Sequence, residues 1–349
     1  MRLMESYQDE VKILKKKYLL EPDNESIADT LKYHLSAASK HFYMPEYLKD
    51  PLTFHKELLY YRGLAVLDDL YNEEVWGQVL VHGNLAISGE LKSKPLIYCT
   101  YHLGSYRMLN VFLVRNQINH SIVIDGTTIK NQSKRFFDLH DKFKDVKDFI
   151  HKFKILNAED SSIGIQMIRD LKSGQSLLFY IDGNSGVGGM GRNDEKLANI
   201  KFLGRDIYAR KGVAFISHFT RTPIVPVISY RSPEGIINIK FFDAIYPNLN
   251  QEREAYSNET TQVIFDLFSA YLQKYPEQWE GWLYAHKFIN KNMMPPAQSL
   301  KINELLNNPR VTFFSQNGET MLFDRDTFHC YKAPKQILDL FAKNINIVQ

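Results

Sequence analysis

Short apolar segments alternate with helix-forming segments from Pro95 onward, and no other feature constrains the fold of this chain as strongly. Apolar runs at 96–100, 120–125, 153–156 and 176–181 are each typical of one buried strand. Strands separated by helices assemble into a sheet that carries helices on both faces. The sequence therefore predicts an α/β fold in which a central sheet is flanked by helices.

The same alternation continues to residue 275. Further strands are predicted at 200–204, 223–231 and 236–245, with a helix at 209–221 before the second of them. An amphipathic helix at Glu259–Tyr275 closes the unit. The helices between the earlier strands are expected at 103–117, 131–143 and 161–172.

The two ends of the chain differ from this middle part. Residues 1 to about 90 read mainly as helices, with apolar residues at helical spacing over 27–42 and 58–80. Residues 293–310 are polar and contain prolines, which is typical of a linker. A hairpin with its turn at 316–318 and a helix at 334–343 are expected beyond it. The predicted organisation is a helical region over 1–90, the α/β domain over 91–292, and a linker with a small α+β hairpin–helix module over 293–349.

Composition argues against several functions. The 349 residues include 43 Lys and Arg against 40 Asp and Glu, a formal net charge of +3, which argues against a nucleic-acid binder. Two cysteines build neither a disulfide framework nor a cysteine-based zinc site. The histidines lack metal-ligand spacing, so no metal site is expected.

The sequence also predicts where the protein resides. No run of 18 apolar residues is present, so no transmembrane helix is expected. The charged N-terminal segment lacks the apolar core of a signal peptide. Lys12 and Lys15–Lys17 beside apolar residues fit either an interfacial basic helix or a solvated first helix. The prediction is a cytoplasmic protein with at most peripheral contact with the inner face of the membrane.

A glycine-rich segment matches a dinucleotide-binding pattern letter for letter. Gly186–Gly191 reads G-x-G-x-x-G and follows a predicted strand. A dinucleotide site also needs a helix opening at the last glycine, and the following residues, RNDEKLAN, offer no apolar helical face. The segment is interpreted as a flexible surface loop.

Polar residues follow two of the predicted strands. His102 comes after the strand at 96–100, and Asp182, Gly183 and Asn184 come after the strand at 176–181. Because open α/β sheets place their chemistry at the carboxyl ends of strands, these side chains should face one crevice. An imidazole there can act as a general base, and the first N–H groups of a helix can hold a developing oxyanion. Taken singly, His102 also fits a structural or capping role, and 182–184 also fit a turn.

A loose basic group accompanies the later strands. Arg205, Arg210, Lys211 and Arg231 are each compatible with a surface position. Several of them converging would suit a ligand that carries phosphate, such as a phosphopantetheine arm.

Read in order, these segments resemble the lipid A biosynthesis acyltransferase branch of the lysophospholipid acyltransferase superfamily. The similarity covers roughly residues 70–292 and implies a central mixed sheet with flanking helices. The blocks that carry it are His102–Arg107, Tyr180–Asn184 followed by Ile200–Gly204, Arg210–Thr220 with Pro223–Arg231, and Pro276-Glu277-Gln278-Trp279 through Trp282 to Phe288.

The resemblance implies transfer of a fatty acyl group from a thioester, on acyl carrier protein or coenzyme A, to a hydroxyl or amine. No tightly bound cofactor is implied, because the acyl thioester is a co-substrate. His102 would deprotonate the acceptor, and backbone donors near Gly104 and Ser105 would hold the oxyanion. The remaining residues implied to contact donor or acceptor are Tyr106, Asn184, Arg205, Arg210 and Arg231.

The chain departs from the family in two ways. Arg107 stands five positions after His102, where the family carries an acid that orients the imidazole. Either another carboxylate, Asp125 or Asp182, replaces that acid or the chemistry is weakened, so Arg107 and Asp182 are catalytic candidates with His102. The family's N-terminal membrane helix is also not found, which favours a soluble acceptor such as a carrier-bound intermediate, a sugar or a peptide.

Residues 311–343 resemble the small winged-helix-like element that binds leader peptides in ribosomal peptide-modification pathways. The alternative is an appended hairpin and helix that only pack on the main domain. Two rivals to an acyltransferase also stay open. One is a non-catalytic protein that holds an acyl chain or a peptide, and the other is a thioester hydrolase in which His102 activates water.

Overall fold

A seven-stranded sheet of order β1-β9-β8-β2-β5-β3-β4 organises the computed structural model of the chain. The structure describes residues 6–84, 90–143, 149–183, 196–289, 310–316 and 319–332. The strands are β1 (Val79–His82), β2 (Ile97–Thr100), β3 (His120–Ile124), β4 (Phe153–Asn157), β5 (Ser176–Tyr180), β6 (Leu197–Phe202), β7 (Arg205–Arg210), β8 (Ile224–Arg231), β9 (Ile237–Phe241), β10 (Val311–Gln316), β11 (Glu319–Asp324) and β12 (His329–Lys332).

Helices lie before, between and after these strands. Their bounds are α1 (Tyr7–Lys15), α2 (Asn24–Ala28), α3 (Leu31–Tyr43), α4 (Pro51–Leu70), α5 (Asn72–Trp76), α6 (Met108–Arg115), α7 (Gly126–Asp141), α8 (Ile163–Lys172), α9 (Gly212–Thr220) and α10 (Arg253–Lys274). A series of short 3-10 turns follows α10, from Pro276 to Lys287. None of the helices among the described residues is both long and apolar enough to cross a lipid bilayer.

The large sheet is mixed, and the predicted α/β class is confirmed. Strands β8, β2, β5, β3 and β4 run parallel to one another, whereas β9 is antiparallel to β8 and parallel to β1. All four residues of β2 are buried, as expected for a central strand covered on both faces. Its carboxyl end therefore opens between two layers of helices.

Successive residues of β2 point into two different cores. Tyr98 packs in one core with Leu109 and Leu113, and Cys99 packs in the other with Phe268 and Trp279. The N-terminal helices contribute to both cores. Tyr7 and Val75 pack in the core that contains Tyr98, and Phe54 and Leu58 pack in the core that contains Cys99. Residues before 90 thus share the hydrophobic cores that cover the central sheet.

The structure corrects several predicted boundaries. The helix expected over 58–80 ends at Leu70 in α4, and residues 79–82 form β1 at the sheet edge. A four-residue strand is too short to show a period of its own beside long helices. The helix expected over 27–42 is split, because the Thr30 side chain accepts from the Tyr33 N–H and starts α3 there.

Two further helices begin later than predicted. The helix expected at 103 begins at Met108, because residues around Leu103 pair with residues around Trp279 instead. The helix expected at 209 begins at Gly212, because residues 205–210 form β7. The first pairing joins segments far apart in the chain, whereas β7 pairs with β6 directly before it. In both cases helical periodicity alone placed the start too early.

The C-terminal segment forms a three-stranded antiparallel sheet, β10-β11-β12, with one strand more than the predicted hairpin. Phe314 and Phe323 pack against Ala38 of α3, and His34 lies 3.2 Å from the Thr312 hydroxyl. This sheet is thus attached to the N-terminal helices. The predicted helix at 334–343 and nearly all of the linker at 293–310 lie outside the described residues.

Candidate active site

The site is built where β2 and β5 end side by side. These strands pair in parallel, and the Ile181 N–H donates to the Thr100 carbonyl just beyond them. His102 follows one strand and Asp182 follows the other, so the two residues meet at the carboxyl edge of the sheet. The structure therefore brings together the two strand-end residues that the sequence singled out.

His102 and Asp182 form a hydrogen-bonded pair. Nδ1 of His102 lies 2.9 Å from Oδ1 of Asp182, and the His102 backbone N–H donates to Oδ2 at 2.9 Å. The side chain of Asp182 is fully buried, whereas that of His102 is 29% exposed. Because the carboxylate accepts at Nδ1, the neutral ring keeps its proton there, and Nε2 has no partner among the described residues.

Trp279 completes the surroundings of the carboxylate. Its indole N–H donates to Oδ2 of Asp182 at 2.6 Å, and the ring is buried. The carboxylate thus accepts three hydrogen bonds: from the backbone N–H of His102, from Nδ1 of the same residue, and from the indole N–H of Trp279. These donors fix the orientation of the carboxylate.

A short antiparallel pairing carries Trp279 to this place. The Gly104 N–H donates to the Gln278 carbonyl at 2.9 Å, and the Glu280 N–H donates to the His102 carbonyl at 3.0 Å. Gly104 has φ of +53°, and a Cβ there would lie 2.8 Å from the Tyr230 Cα, so only glycine fits. The Gly104 N–H is occupied by this bond, so the oxyanion donors predicted near Gly104 and Ser105 would have to be other N–H groups.

The N–H groups of the next three residues are differently placed. The carbonyls of Ser105, Tyr106 and Arg107 accept the N–H groups of the following turn, which starts the helical segment before α6. Their own N–H groups donate to no acceptor among the described residues. The first N–H groups of a helical segment are suited to negative charge. They follow His102 closely in the chain and remain available.

Two tyrosines enclose the imidazole. The Tyr180 ring stacks on His102 at 4.9 Å, and the Tyr106 ring meets it edge-on at 4.8 Å. The Tyr106 hydroxyl donates to Oε2 of Glu280 at 3.2 Å, and the Arg62 Nε donates to Oε1 of the same carboxylate at 2.8 Å. The imidazole is therefore packed against both tyrosine rings, which also contact each other.

The pKa of His102 reflects opposing influences. Burial lowers it, whereas the charge and hydrogen bond of Asp182, together with Glu280, raise it, and the net pKa lies above the ordinary 6.5. The positive charge of Arg107 lowers the pKa of His102. Burial raises the pKa of Glu280, but His102 and Arg62 outweigh that effect and leave it lowered.

Arg107 does not touch the imidazole. Its Nη1 donates to Oε1 of Gln132 at 2.7 Å, and its guanidinium lies 5.2 Å from the centre of the Tyr106 ring. The nearest carboxylate oxygen in an ion pair with it belongs to Asp69, at 3.9 Å. The acid that orients His102 is Asp182, from another strand. Asp125, the other carboxylate considered, instead accepts from the Thr128 N–H at the start of α7.

Ser105 and Arg231 belong to a buried ion-pair cluster. Nη2 of Arg231 lies 2.6 Å from Oδ2 of Asp68, a fully buried carboxylate that also accepts from the Ser105 hydroxyl. The Tyr7 hydroxyl donates to Oδ1 of Asp68 at 2.7 Å. Ligand contact by the side chains of Ser105 and Arg231 would require this cluster to open.

The remaining predicted ligand residues lie away from this pair. The Arg205 Nε donates to the Phe42 carbonyl at 3.0 Å, and its guanidinium lies over the Phe42 ring. Arg210 ends β7, in the separate two-stranded sheet that β7 forms with β6. Lys211 pairs with Glu254. Asn184 and Gly186–Gly191 lie outside the described residues.

Sequence reasoning did not single out several residues of the site. Trp279, Tyr180 and Glu280 appear only inside or beside the matched blocks, and Asp68 and Asp69 lie in a helix read as part of a separate region. The signal for Trp279 was its place in Pro276-Glu277-Gln278-Trp279. Among the described residues, no three His, Cys, Asp or Glu side chains are grouped in a way that could hold a metal ion.

Comparison with known proteins finds similarity among solved structures only. No protein-family model matches the chain, and no curated protein matches it. A search of solved structures finds the crystal structure of the 1-acyl-sn-glycerophosphate (LPA) acyltransferase PlsC from Thermotoga maritima. It is 13% identical, with a TM-score of 0.33, and the match covers 69% of this chain and 95% of that one. We therefore describe the class of protein from the fold and site of this chain alone. It is an α/β protein with a buried aspartate and a partly exposed histidine at the carboxyl edge of its sheet.

Proposed function

We propose that this chain transfers a fatty acyl group from a thioester, on acyl carrier protein or coenzyme A, to a hydroxyl or amine of a soluble acceptor. The observation that carries the proposal is the pairing of His102 Nδ1 with Asp182 at 2.9 Å, beside an Nε2 that has no partner in the part of the chain that the structure describes. A histidine oriented in this way presents a basic lone pair on Nε2 when the ring is neutral. The side chain is 29% exposed, so the ring is not closed off from solvent.

The proposed reaction needs one base and one set of oxyanion donors. Nε2 of His102 takes the proton of the acceptor as its oxygen or nitrogen attacks the thioester carbonyl. The C–S bond then breaks, and the departing thiolate takes the proton from Nε2. Asp182 stabilises the imidazolium between these steps through its hydrogen bond with Nδ1.

The negative charge on the carbonyl oxygen also needs donors. The N–H groups of Ser105, Tyr106 and Arg107 are the candidates, because the Gly104 N–H already donates to Gln278. A single well-placed donor of this type contributes about 10²–10³ in rate in acyl-transfer enzymes. Arg107 would then act through its backbone rather than in place of the missing acid.

The acceptor is proposed to be soluble, with a peptide or a carrier-bound intermediate as the leading candidates. In the C-terminal sheet, β10 and β12 are the outer strands, and an extended peptide could pair along one of them. The matching test is a binding titration of the full chain with candidate peptides. Acyl carrier protein remains a proposed donor partner on the same footing.

The decisive experiment follows thiol release from acyl-coenzyme A and from acyl carrier protein thioesters, with and without amine and hydroxyl acceptors. We expect acceptor-dependent release that falls by about 10²–10⁴-fold in His102→Ala. His41→Ala, which removes an exposed histidine of α3, should leave the rate unchanged. Unchanged turnover in His102→Ala would refute the assigned role.

The same assay separates the two rival functions. A non-catalytic binding protein releases no thiol under any of these conditions. A thioester hydrolase releases thiol at the same rate whether or not an acceptor is present. The His102–Asp182 pair suits hydrolysis as well as transfer, since either water or an acceptor could give its proton to Nε2.

A further inference from the structure

Two arginines beside the site share a single carboxylate. Arg107 and Arg135 both approach Oδ2 of Asp69, at 3.9 and 2.7 Å. Their side chains are only 14% and 26% exposed, and that of Asp69 is 8% exposed. The two guanidinium groups thus share one ion-paired carboxylate in a region largely withdrawn from water, while Glu280, the other carboxylate that acts on Arg107, is itself paired with Arg62. A site with more guanidinium groups than carboxylates paired to them is suited to a further anion.

The donors of these guanidinium groups also exceed the acceptors around them. Each guanidinium carries five N–H groups. Arg107 donates to the Gln132 side chain, and Arg135 donates to the Val66 carbonyl at 2.9 Å as well as to Asp69. The Nε–H groups of both arginines are buried and find no acceptor among the described residues. Unpartnered buried donors of this kind are rare and call for a ligand or another explanation.

A phosphate group fits this surplus of guanidinium groups and donors. It brings up to two negative charges and three acceptor oxygens, and planar guanidinium groups bind it through paired hydrogen bonds. We propose that Arg107 and Arg135 form a subsite for a phosphate group next to His102. The Arg107 guanidinium lies 5.2 Å from the Tyr106 ring centre, which in turn lies 4.8 Å from the His102 ring centre. A molecule whose phosphate is bound there could extend past the Tyr106 ring to the imidazole.

This subsite differs from the basic group recognised in the sequence. Arg231 is held by Asp68, and Arg205 is held by the Phe42 carbonyl. The assignment of the phosphate to an acyl donor or to an acceptor rests on the acyl transfer proposed above. The binding of phosphate by Arg107 and Arg135 does not depend on acyl transfer, so each proposal can fail without the other.

The test is a calorimetric titration of the full chain with inorganic phosphate at constant ionic strength. We expect Arg135→Gln to weaken phosphate binding by about tenfold or more, because one guanidinium is lost. The matched control is Arg169→Gln, which removes an exposed arginine of α8 and should leave the affinity unchanged. Equal affinities in the two variants would overturn the subsite.

A second variant tests the proposal without removing a cation. In Gln132→Glu a carboxylate replaces the amide that accepts from Arg107, at nearly constant volume. It supplies a further anion within the chain, so phosphate binding should again fall by about tenfold while the folded protein becomes no less stable. Phosphate binding that is undiminished in Gln132→Glu would contradict the proposal, even if Arg135→Gln failed to fold.

Competition then identifies the source of the phosphate. Displacement of bound inorganic phosphate by coenzyme A but not by methyl phosphate assigns the subsite to the donor. Displacement by methyl phosphate alone assigns it to a phosphorylated acceptor. If neither compound displaces phosphate in the wild type, the subsite does not serve a phosphate-bearing substrate and the proposal fails.

Discussion

Two histidines at opposite ends of the parallel strands show how strongly the surroundings decide what an imidazole can do. His102 lies beyond the carboxyl end of β2, and one of its ring nitrogens is held by the buried carboxylate of Asp182. His120 begins β3 at the amino end and is fully buried. Its Nδ1 lies 2.9 Å from the Ile118 carbonyl and its Nε2 lies 2.8 Å from the Asn110 side-chain oxygen.

The pKa values of the two rings move in opposite directions. Burial lowers the pKa of His120 to about 3, aided by the neighbouring His151, because no carboxylate compensates the imidazolium there. The pKa of His102 lies above 6.5, because Asp182 outweighs the effect of burial. A buried histidine without a carboxylate partner, such as His120, is thus a structural residue. A histidine paired with a buried carboxylate, such as His102, is a proton acceptor with one accessible nitrogen.

The largest effect is expected from removing the charge of Asp182. Asp182→Asn leaves the side-chain volume intact but loses the carboxylate that fixes the His102 tautomer, and the rate of acyl transfer should fall by about 10⁴-fold, as in Ser-His-Asp triads. The thiol-release assay measures the change.

The amino end of the sheet supplies a matched control for that variant. Asp170 is also buried, and it accepts from the Ser121 hydroxyl at 2.6 Å. Asp170→Asn should lower stability while leaving the rate per folded molecule within about twofold. Comparable rate losses in Asp182→Asn and Asp170→Asn would mean that the variants act through folding.

The next largest effect concerns stability rather than rate. His120→Ala removes a fully buried ring and strands the groups it contacts, so the free energy of unfolding should fall by about 3 kcal/mol. His102→Ala removes a partly exposed ring and should cost about 1 kcal/mol or less. Denaturant unfolding monitored by circular dichroism measures both. A larger loss of stability in His102→Ala than in His120→Ala would reverse the comparison.

A smaller effect is expected from the indole that donates to Asp182. Trp279→Phe keeps an aromatic ring but removes the N–H, so the carboxylate loses one of its donors and the rate should fall by about tenfold. Trp282→Phe is the matched control, since that indole N–H donates to the Pro276 carbonyl at 2.7 Å instead. Equal rates in Trp279→Phe and the wild type would show that the indole does not position Asp182.

The smallest effect is a displacement of the pH profile. The rate should rise with pH through the raised pKa of His102, because only the neutral ring accepts a proton. Glu280→Gln removes a charge that raises this pKa, so the profile should move to lower pH. A profile that stays in place would exclude Glu280 from the electrostatics of the site.

Stability should depend on pH with opposite signs at the two histidines. The raised pKa of His102 stabilises the fold fully below pH 6.5, and this contribution is lost as pH rises through the folded-state value. The lowered pKa of His120 acts the other way, and its contribution is lost as pH falls from 6.5 towards 3. Unfolding measurements of His120→Ala across that range should show a weaker loss at acidic pH than the wild type.

The central strands and the two strand-end residues were predictable because their signals are local. The apolar run at 96–100 and the polar residues after it lie next to each other in the chain, and parallel pairing then places Asp182 beside His102. Strand β1 was missed because its four residues follow long helices and pair with β9, more than 150 residues away. Period and composition carry no information on such pairing.

The parts of the site that escaped prediction depend on contacts between distant segments. Trp279 reaches Asp182 only because residues around Leu103 pair with it, and that pairing also delays the start of α6. The grouping of Arg107 with Asp69 and Arg135 joins three separate segments of the chain. The sequence shows Arg107 at the position where the resembled family carries an acid. It left two candidates, Asp125 and Asp182, for the carboxylate that compensates for this replacement.

The central claim is that Asp182 holds His102 with its proton on Nδ1 and Nε2 free to accept another. A nitrogen-15 nuclear magnetic resonance titration of the histidine rings in the wild-type chain measures this directly. The account predicts a neutral His102 protonated at Nδ1, with a pKa above 6.5 that drops in Asp182→Asn, beside a His120 that stays neutral down to about pH 3. A His102 protonated at Nε2, or one whose pKa is unchanged in Asp182→Asn, would contradict it.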